Sequence, residues 1–356
     1  MAYVTLDSKK LEENYKFLDQ KFKERNISWA PVTKLLCGNT LLMKEVLKHK
    51  PKEVCDARLS NLVLVKELDP SIETVYIKPP AKEIIEDVVR YADASLNSSY
   101  TTIKEISKEA KKQGKTHHII IMIELGDLRE GIMGERLLDF YSKVFELPHI
   151  KVTGLGANLN CLYGVMPSED KLIQLSLYKQ LLEAKFNVEI PWVTGGTSVV
   201  MPLLMNNRLP KGINHFRVGE TLYFGADLVG GTTFEGMHND VFKLYAQVIE
   251  ITEKPKVPIG NMEANPSGET YEIDESEYGL TAERMILDVG LLDLSTDFVK
   301  PVEKGLTISG ASSDMLVIEL GDEAKKYKVG DFVEFEMKYM GALRLFNSDY
   351  IEKRVI

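Results

Sequence analysis

Residues 29–39 read W-A-P-V-T-K-L-L-C-G-N. A β-prone run enters this stretch, a single cation stands at Lys34, and Gly38-Asn39 break the run before a helical pattern starts at Leu41. A strand that ends on a lysine and turns at once into a helix is the start of a strand–helix unit. The lysine has two readings. Its stem can snorkel and leave the ammonium in water. Alternatively, burial at the strand end lowers its pKa and makes the amine a nucleophile toward a carbonyl, including the aldehyde of pyridoxal phosphate.

Outward from this stretch the same alternation repeats. Strand-like and helix-like segments follow one another at 28–33 and 40–49, 53–56 and 58–68, 74–77 and 81–91, 94–96 and 100–113. The pattern continues at 118–124 and 135–145, 152–159 and 168–185, 192–194 and 199–205, and finally 215–218 with 221–224. A short strand at 3–6 and a helix at 8–22 precede them. Residues 118–124, H-I-I-I-M-I-E, form an almost continuous apolar run, as expected of a strand buried on both faces. About eight units within some 200 residues predict an α/β fold with a (β/α)8 TIM-type barrel. An open doubly wound sheet would usually have fewer units and a Gly-rich phosphate fingerprint after its first strand. Neither G-x-G-x-x-G nor G-x-x-x-x-G-K-[ST] occurs.

Beyond Gly230-Gly231 the period changes. Strand-like runs at 242–252, 284–289, 306–309, 315–320 and 332–339, separated by Gly, Asp and Pro, predict a smaller, mainly β C-terminal domain. The expected division is residues 8–231 for the barrel and 232–356, with the N-terminal strand 1–7, for the β domain. The stretch 263–277, rich in Glu, Asn, Pro and Ser, reads as a surface excursion.

The chain's 356 residues fit one large domain plus a smaller one. With 44% apolar and 27% charged residues the composition is that of a soluble globular protein. A net charge of −9 argues against binding through nucleic-acid phosphates or an anionic membrane surface. The three cysteines, Cys37, Cys55 and Cys161, show no C-x-x-C spacing, and none of the six histidines has metal-ligand spacing. No metal site, a reducing compartment and, without a leader-like N-terminus or a membrane-length apolar run, a cytoplasmic location are the expectations.

In such barrels chemistry collects at the C-terminal strand ends. The turn Thr194-Gly195-Gly196-Thr197-Ser198 reads as a flexible loop opening a helix, where free N–H groups favour a phosphate or simply receive a Ser/Thr cap. Gly219 lets backbone approach the same anion. Arg217 is a fixed cation that can meet a ring nitrogen or pair with a carboxylate such as Glu124. Arg129, between Gly126 and Gly131, can hold a substrate carboxylate or be solvated and paired.

Together these strand ends resemble the fold-type III pyridoxal phosphate enzymes, the alanine racemase family. P-V-T-K-L-L-C-G-N at 31–39 and G-A-S-S-D at 310–314 are most similar to its ornithine, or basic amino acid, racemase branch. The resemblance runs from Lys34 to Tyr339 and rests on the order and spacing of motifs. It implies that Lys34 forms the Schiff base with pyridoxal phosphate. Ser198, Gly219 and the backbone at Glu220, in F-R-V-G-E-T-L-Y-F-G, would hold the phosphate, with Thr197 adjacent and the Tyr339 hydroxyl of M-K-Y-M-G-A-L reaching it. Arg217 would face the pyridine nitrogen, and Arg129, in E-L-G-D-L-R-E-G, the substrate end. Asn158 stands near the ring where alanine racemases have a histidine.

The resemblance further implies an amino-acid racemase, an isomerase working as a homodimer with shared active sites, on a basic substrate such as ornithine or lysine. Lys34 would serve one face of the substrate. The tyrosine that follows P-I-G in alanine racemases is here Asn261, which cannot trade a proton near neutral pH. Cys37, Tyr271, Tyr278 and Asp314 are the candidates for the other face. Alternatives are alanine racemase itself, a lyase of the D-threonine aldolase type, and a non-catalytic pyridoxal phosphate-binding protein.

Overall fold

The computed structural model describes residues 2–265, 268 and 270–356. Within the expected excursion, Pro266, Ser267 and Glu269 lie outside the described residues. Two compact units emerge. One takes Asp7–Val241, and the other takes the segment up to Leu6 with Phe242–Arg354.

The chain opens with β1 (Tyr3–Leu6), which belongs to the second unit. Helix α1 (Ser8–Lys23) then starts the first unit. Its N-cap Asp7 accepts from the backbone of Lys9 and Lys10 at 3.0 Å. Strand–helix units follow: β2 (Ser28–Pro31) with α2 (Thr40–Leu47), β3 (Glu53–Asp56) with α3 (Leu59–Leu68), and β4 (Glu73–Tyr76) with α4 (Ile85–Tyr91). Next come β5 (Ala94–Asn97) with α5 (Tyr100–Lys112), β6 (His117–Met122) with α6 (Leu137–Phe145), and β7 (Ile150–Gly156) with α7 (Glu169–Phe186). The last are β8 (Trp192–Thr194), a two-residue β9 (Gly196–Thr197) and α8 (Met201–Met205), then β10 (His215–Val218) with α9 (Glu220–Phe224).

Strands β3 to β8 form one parallel sheet in chain order, and β10 lies between β2 and β9 in another. A parallel bridge from Val32 to Cys55 joins β2 to β3. At the other seam Val193 N donates to Asn214 Oδ1 at 2.8 Å, and β9, which follows β8 after Gly195, pairs with β10, so the two parallel sheets close into a ring. Alternate residues point inward, as the period of a strand requires. Ala30, Val32, Cys55, Val75, Ala94, Leu96, Ile120 and Met122 pack into one buried cluster with Trp192 against it. On the outer face α1 buries Leu11, Tyr15, Leu18 and Phe22, and Phe22 stacks on Trp29 and meets Phe216.

Within β7 two glycines make room for the neighbouring strand. A Cβ at Gly156 would lie 2.5 Å from Thr194 Cγ2.

After two short strands, β11 (Ala226–Asp227) and β12 (Thr232–Thr233), the second unit resumes with β13 (Phe242–Pro255). It continues with β14 (Thr281–Leu287), β15 (Val299–Pro301), β16 (Leu306–Ala311), β17 (Leu316–Leu320) and β18 (Phe332–Met337). Helix α10 (Tyr339–Asn347) and β19 (Glu352–Val355) end it. The sheet is antiparallel in the order β15-β18-β13-β14-β17-β16, with β1 paired to β13 and β19 to β1. The strand expected at 332–339 stops at Met337, and Tyr339 opens α10 instead. The sequence conceals this helix because Gly341 sits inside it. A Cβ there would meet Phe298 O at 2.7 Å, so close packing outweighs glycine's poor helix propensity.

Candidate active site

Strand β2 ends at Pro31, and Lys34 opens a 3-10 turn, Lys34–Leu36, rather than ending the strand. Leu35 and Leu36 are fully buried, whereas Lys34 itself is exposed. The burial expected of a strand-end lysine is therefore not found, because the turn swings the side chain out while its two apolar neighbours take the interior. Two carboxyls feel its charge. Burial pushes Asp56 and Glu220 above the usual carboxylate range, and Lys34 opposes the rise in both.

Asp56 also anchors the turn. It accepts from Thr33 Oγ1 at 2.7 Å, from Arg58 N at 2.7 Å and from Asn61 Nδ2 at 3.1 Å. Asn61 in turn requires glycine at position 38, where φ is +73° and a Cβ would lie 2.7 Å from Asn61 Oδ1. Cys37 precedes it at φ +49°, half-buried, with Sγ 3.4 Å from Leu35 O and 3.9 Å from Lys34 O.

The expected flexible turn at 194–198 is packed instead. A Cβ on Gly196 would fall 2.2 Å from the Phe216 ring, and one on Gly195 would press on Leu172 and Leu175. Both glycines are there for close approach. Thr197 pairs with Arg217 between β9 and β10. Ser198, buried, accepts from Thr221 N at 3.2 Å, which ties together the loops that follow β8 and β10. Gly219 caps α9, and a Cβ there would come 3.3 Å from Val32 Cβ.

Arg217 is 4% exposed. Its Nε donates to Thr194 Oγ1 at 3.0 Å, Nη1 to Asn158 Oδ1 at 3.0 Å, and Nη2 to Ala157 O at 3.0 Å and Thr194 O at 3.4 Å. Burial lowers its pKa from the ordinary guanidinium value. Of the two partners weighed for Arg217, Glu124 is not the one. The Glu124 carboxylate accepts from the backbone of Gly126, Leu128 and Arg129, shaping its own loop. Arg129 pairs with Glu130, whose other contact is Asn158 Nδ2. The Arg129 guanidinium is the chief influence holding Glu130 below the usual carboxylate range against burial. Arg129, Glu130, Asn158 and Arg217 thus form one hydrogen-bonded line.

The sequence gives no site role to Glu130, Asp127, His215 and Glu53, and Thr194 only a place in the anion-favouring turn. One signal was available: His215 and Arg217 are two apart on a strand and so share one face, and a charge that such a face buries needs partners. Tyr339 belongs to the β unit, as do Tyr271, Tyr278, Asp314 and Asn261, all four of them exposed. Among the described residues no group of three or more His, Cys, Asp or Glu side chains could hold a metal ion.

The profile of the alanine racemase N-terminal domain matches residues 6–227. An ornithine racemase from Acetoanaerobium sticklandii is 36% identical over 355 residues, 99% of each chain. The chain belongs to the alanine racemase family. A second relative in that family, a lysine racemase from Thermotoga maritima, is 29% identical over 98% of this chain and 97% of its own. The fold is that of alanine racemase from Bartonella henselae, a structure with covalently bound pyridoxal phosphate. The two agree with a TM-score of 0.75 at 18% identity, over all of this chain and 99% of the other. In this member of the alanine racemase family the residue beside Arg217 is Asn158, which accepts from one arginine's side and donates to the other's carboxylate partner.

Proposed function

We propose that this chain is a pyridoxal phosphate-dependent racemase of a basic amino acid, ornithine or lysine, acting in the cytoplasm as a homodimer with shared active sites. Full-length similarity to an ornithine racemase and a lysine racemase supports the substrate class. The observation that carries the cofactor is Arg217. A guanidinium has five N–H donors, and among the described residues this buried one makes four hydrogen bonds, so donor capacity is left for a ring nitrogen at the barrel mouth. Ser198 and the close-packed backbone at Gly219 suit a phosphate. The residues fit the group.

In this reading Lys34 carries the cofactor, with Thr197, Ser198, Gly219 and the Glu220 backbone at its phosphate, Asn158 beside its ring and Tyr339 reaching the phosphate. When bound, pyridoxal phosphate supplies an electron sink for the charge left as the Cα proton departs. Arg217, always a cation, donates to the ring nitrogen and keeps it unprotonated. Arg129 binds the substrate carboxylate as a bidentate fork, and Glu130 presets its orientation. The Lys34 amine takes or returns the proton at Cα on one face. Of the candidates for the other face, Cys37 lies in the barrel unit. Tyr271, Tyr278 and Asp314 belong to the β unit and would reach a mouth from the partner subunit.

None of the three cysteines forms a disulfide. Among the described residues no helix is long and apolar enough to cross a membrane.

The test is a panel of L-amino acids in heavy water, following optical rotation and Cα deuterium. Ornithine or lysine should invert with deuterium uptake, ahead of alanine. Deuterium uptake without inversion would sink the racemase reading.

A further inference from the structure

The hydrogen bonds of Arg217 do not stop at Thr194. His215 Nδ1 lies 2.8 Å from Thr194 Oγ1, and His215 Nε2 lies 3.1 Å from Glu53 Oε1. All three side chains are at least 95% buried. Glu53 and His215 sit at the first residues of β3 and β10, so the line runs from the N-terminal end of the barrel interior to its C-terminal mouth.

Counting hydrogens gives the line one direction. An ionised carboxylate only accepts, so Glu53 fixes the hydrogen of His215 on Nε2. Nδ1 of the neutral ring is then an acceptor, and it takes the single hydroxyl hydrogen of Thr194. The lone pairs of Oγ1 are left for Arg217 Nε–H. A charged ring would instead donate from Nδ1 into the same oxygen, leave the hydroxyl hydrogen competing for an acceptor, and set a second buried cation close to Arg217. The His215 ring is held in its plane by stacking on Trp192, with centroids 4.6 Å apart and planes 20° apart. Gly156 clears the space that Thr194 occupies.

We propose that Glu53 and His215 are positioning residues that act through Thr194 on Arg217. They orient the threonine hydroxyl, which sets the angle of the guanidinium at the mouth. This rests on the racemase reading above, in which Arg217 meets the cofactor ring.

The test compares the pyridoxal phosphate-loaded wild type with Thr194→Val, Thr194→Ser and His215→Phe, the last keeping a ring on Trp192. Two readouts separate positioning from folding: the visible absorption band of the bound cofactor, and kcat against KM for racemisation. Thr194→Val and His215→Phe should shift the band and lower kcat about tenfold with KM within about twofold. Thr194→Ser should restore both. If those two variants fail to fold by circular dichroism, Glu53→Leu, which removes the acceptor that fixes the ring hydrogen, should give the same shift. Folded variants with the wild-type band and kcat, or a serine that restores nothing, would overturn the proposal. A wild type that binds no cofactor overturns this proposal and the racemase reading together. A wild type that binds and racemises beside unaffected variants overturns this one alone.

Discussion

Lys34 and Asp127 carry opposite kinds of consequence. On the proposed reading, replacing Lys34 with alanine should abolish borohydride-irreversible attachment of pyridoxal phosphate and lower racemisation about 10^3-fold or more, because Lys34 would be both the proton-transfer group and the anchor. Persistent attachment in that variant would remove Lys34 from the site. Asp127 instead holds structure. It is buried and accepts from the backbone of Cys161 and Leu162 at 2.9 Å, Tyr163 at 3.2 Å and Val165 at 3.3 Å. Burial alone would raise its pKa, but the four donors outweigh it and hold the carboxyl below its ordinary value. A depressed folded pKa contributes stability that is present above the unfolded value, about 3.9, and is lost as pH falls through the folded value. Asp127→Asn should therefore cost about 1–3 kcal/mol at pH 7 and weaken the acid-side loss. Urea unfolding of both proteins at pH 7 and at about pH 3, below the unfolded value, checks it.

At the scale of elements, β7 is pressed against β8, and β9 against β10, by missing side chains. Gly196→Ala puts a methyl group 2.2 Å from the Phe216 ring, on a backbone pinned by pairing with β10. Overpacking of this kind should cost about 3 kcal/mol, seen as a fall in Tm, and should loosen Ser198 and Arg217 as well. A stability loss below about 0.5 kcal/mol would mean that the strands part easily and that Gly196 is there for some other reason. The strands and helices of the barrel were legible because each carries an apolar face at its own period. Arg217's partners were not, because hydrogen bonds among strands β3, β8 and β10 depend on which residues point inward at the same level. The sequence reading offered Glu124, a reasonable carboxylate that its own loop had already consumed.

For the whole molecule, the proposed shared sites make activity a property of the dimer. Sedimentation should give twice the 40.2 kDa chain mass, and dilution below the dimer's Kd should reduce specific activity with the dimer fraction. Full activity in a monomer would require the second proton-transfer group to come from the same chain. Substituting Cys37 with serine then distinguishes the candidates: an unaffected rate points to the β unit's Tyr271, Tyr278 or Asp314.

The sequence by itself determined the strand–helix rhythm, the barrel, the β unit and the strand-end residues, because hydrophobic period and glycine-marked breaks are local properties of the chain. Tertiary structure alone decided that Lys34 stands out on a 3-10 turn, that Gly195 and Gly196 are packed tight, and that Arg217 bonds Asn158, Thr194 and Ala157 instead of a carboxylate. Those outcomes depend on the register of strands far apart in sequence, and a buried cation's partners are set by what the closed barrel brings within 3 Å of it.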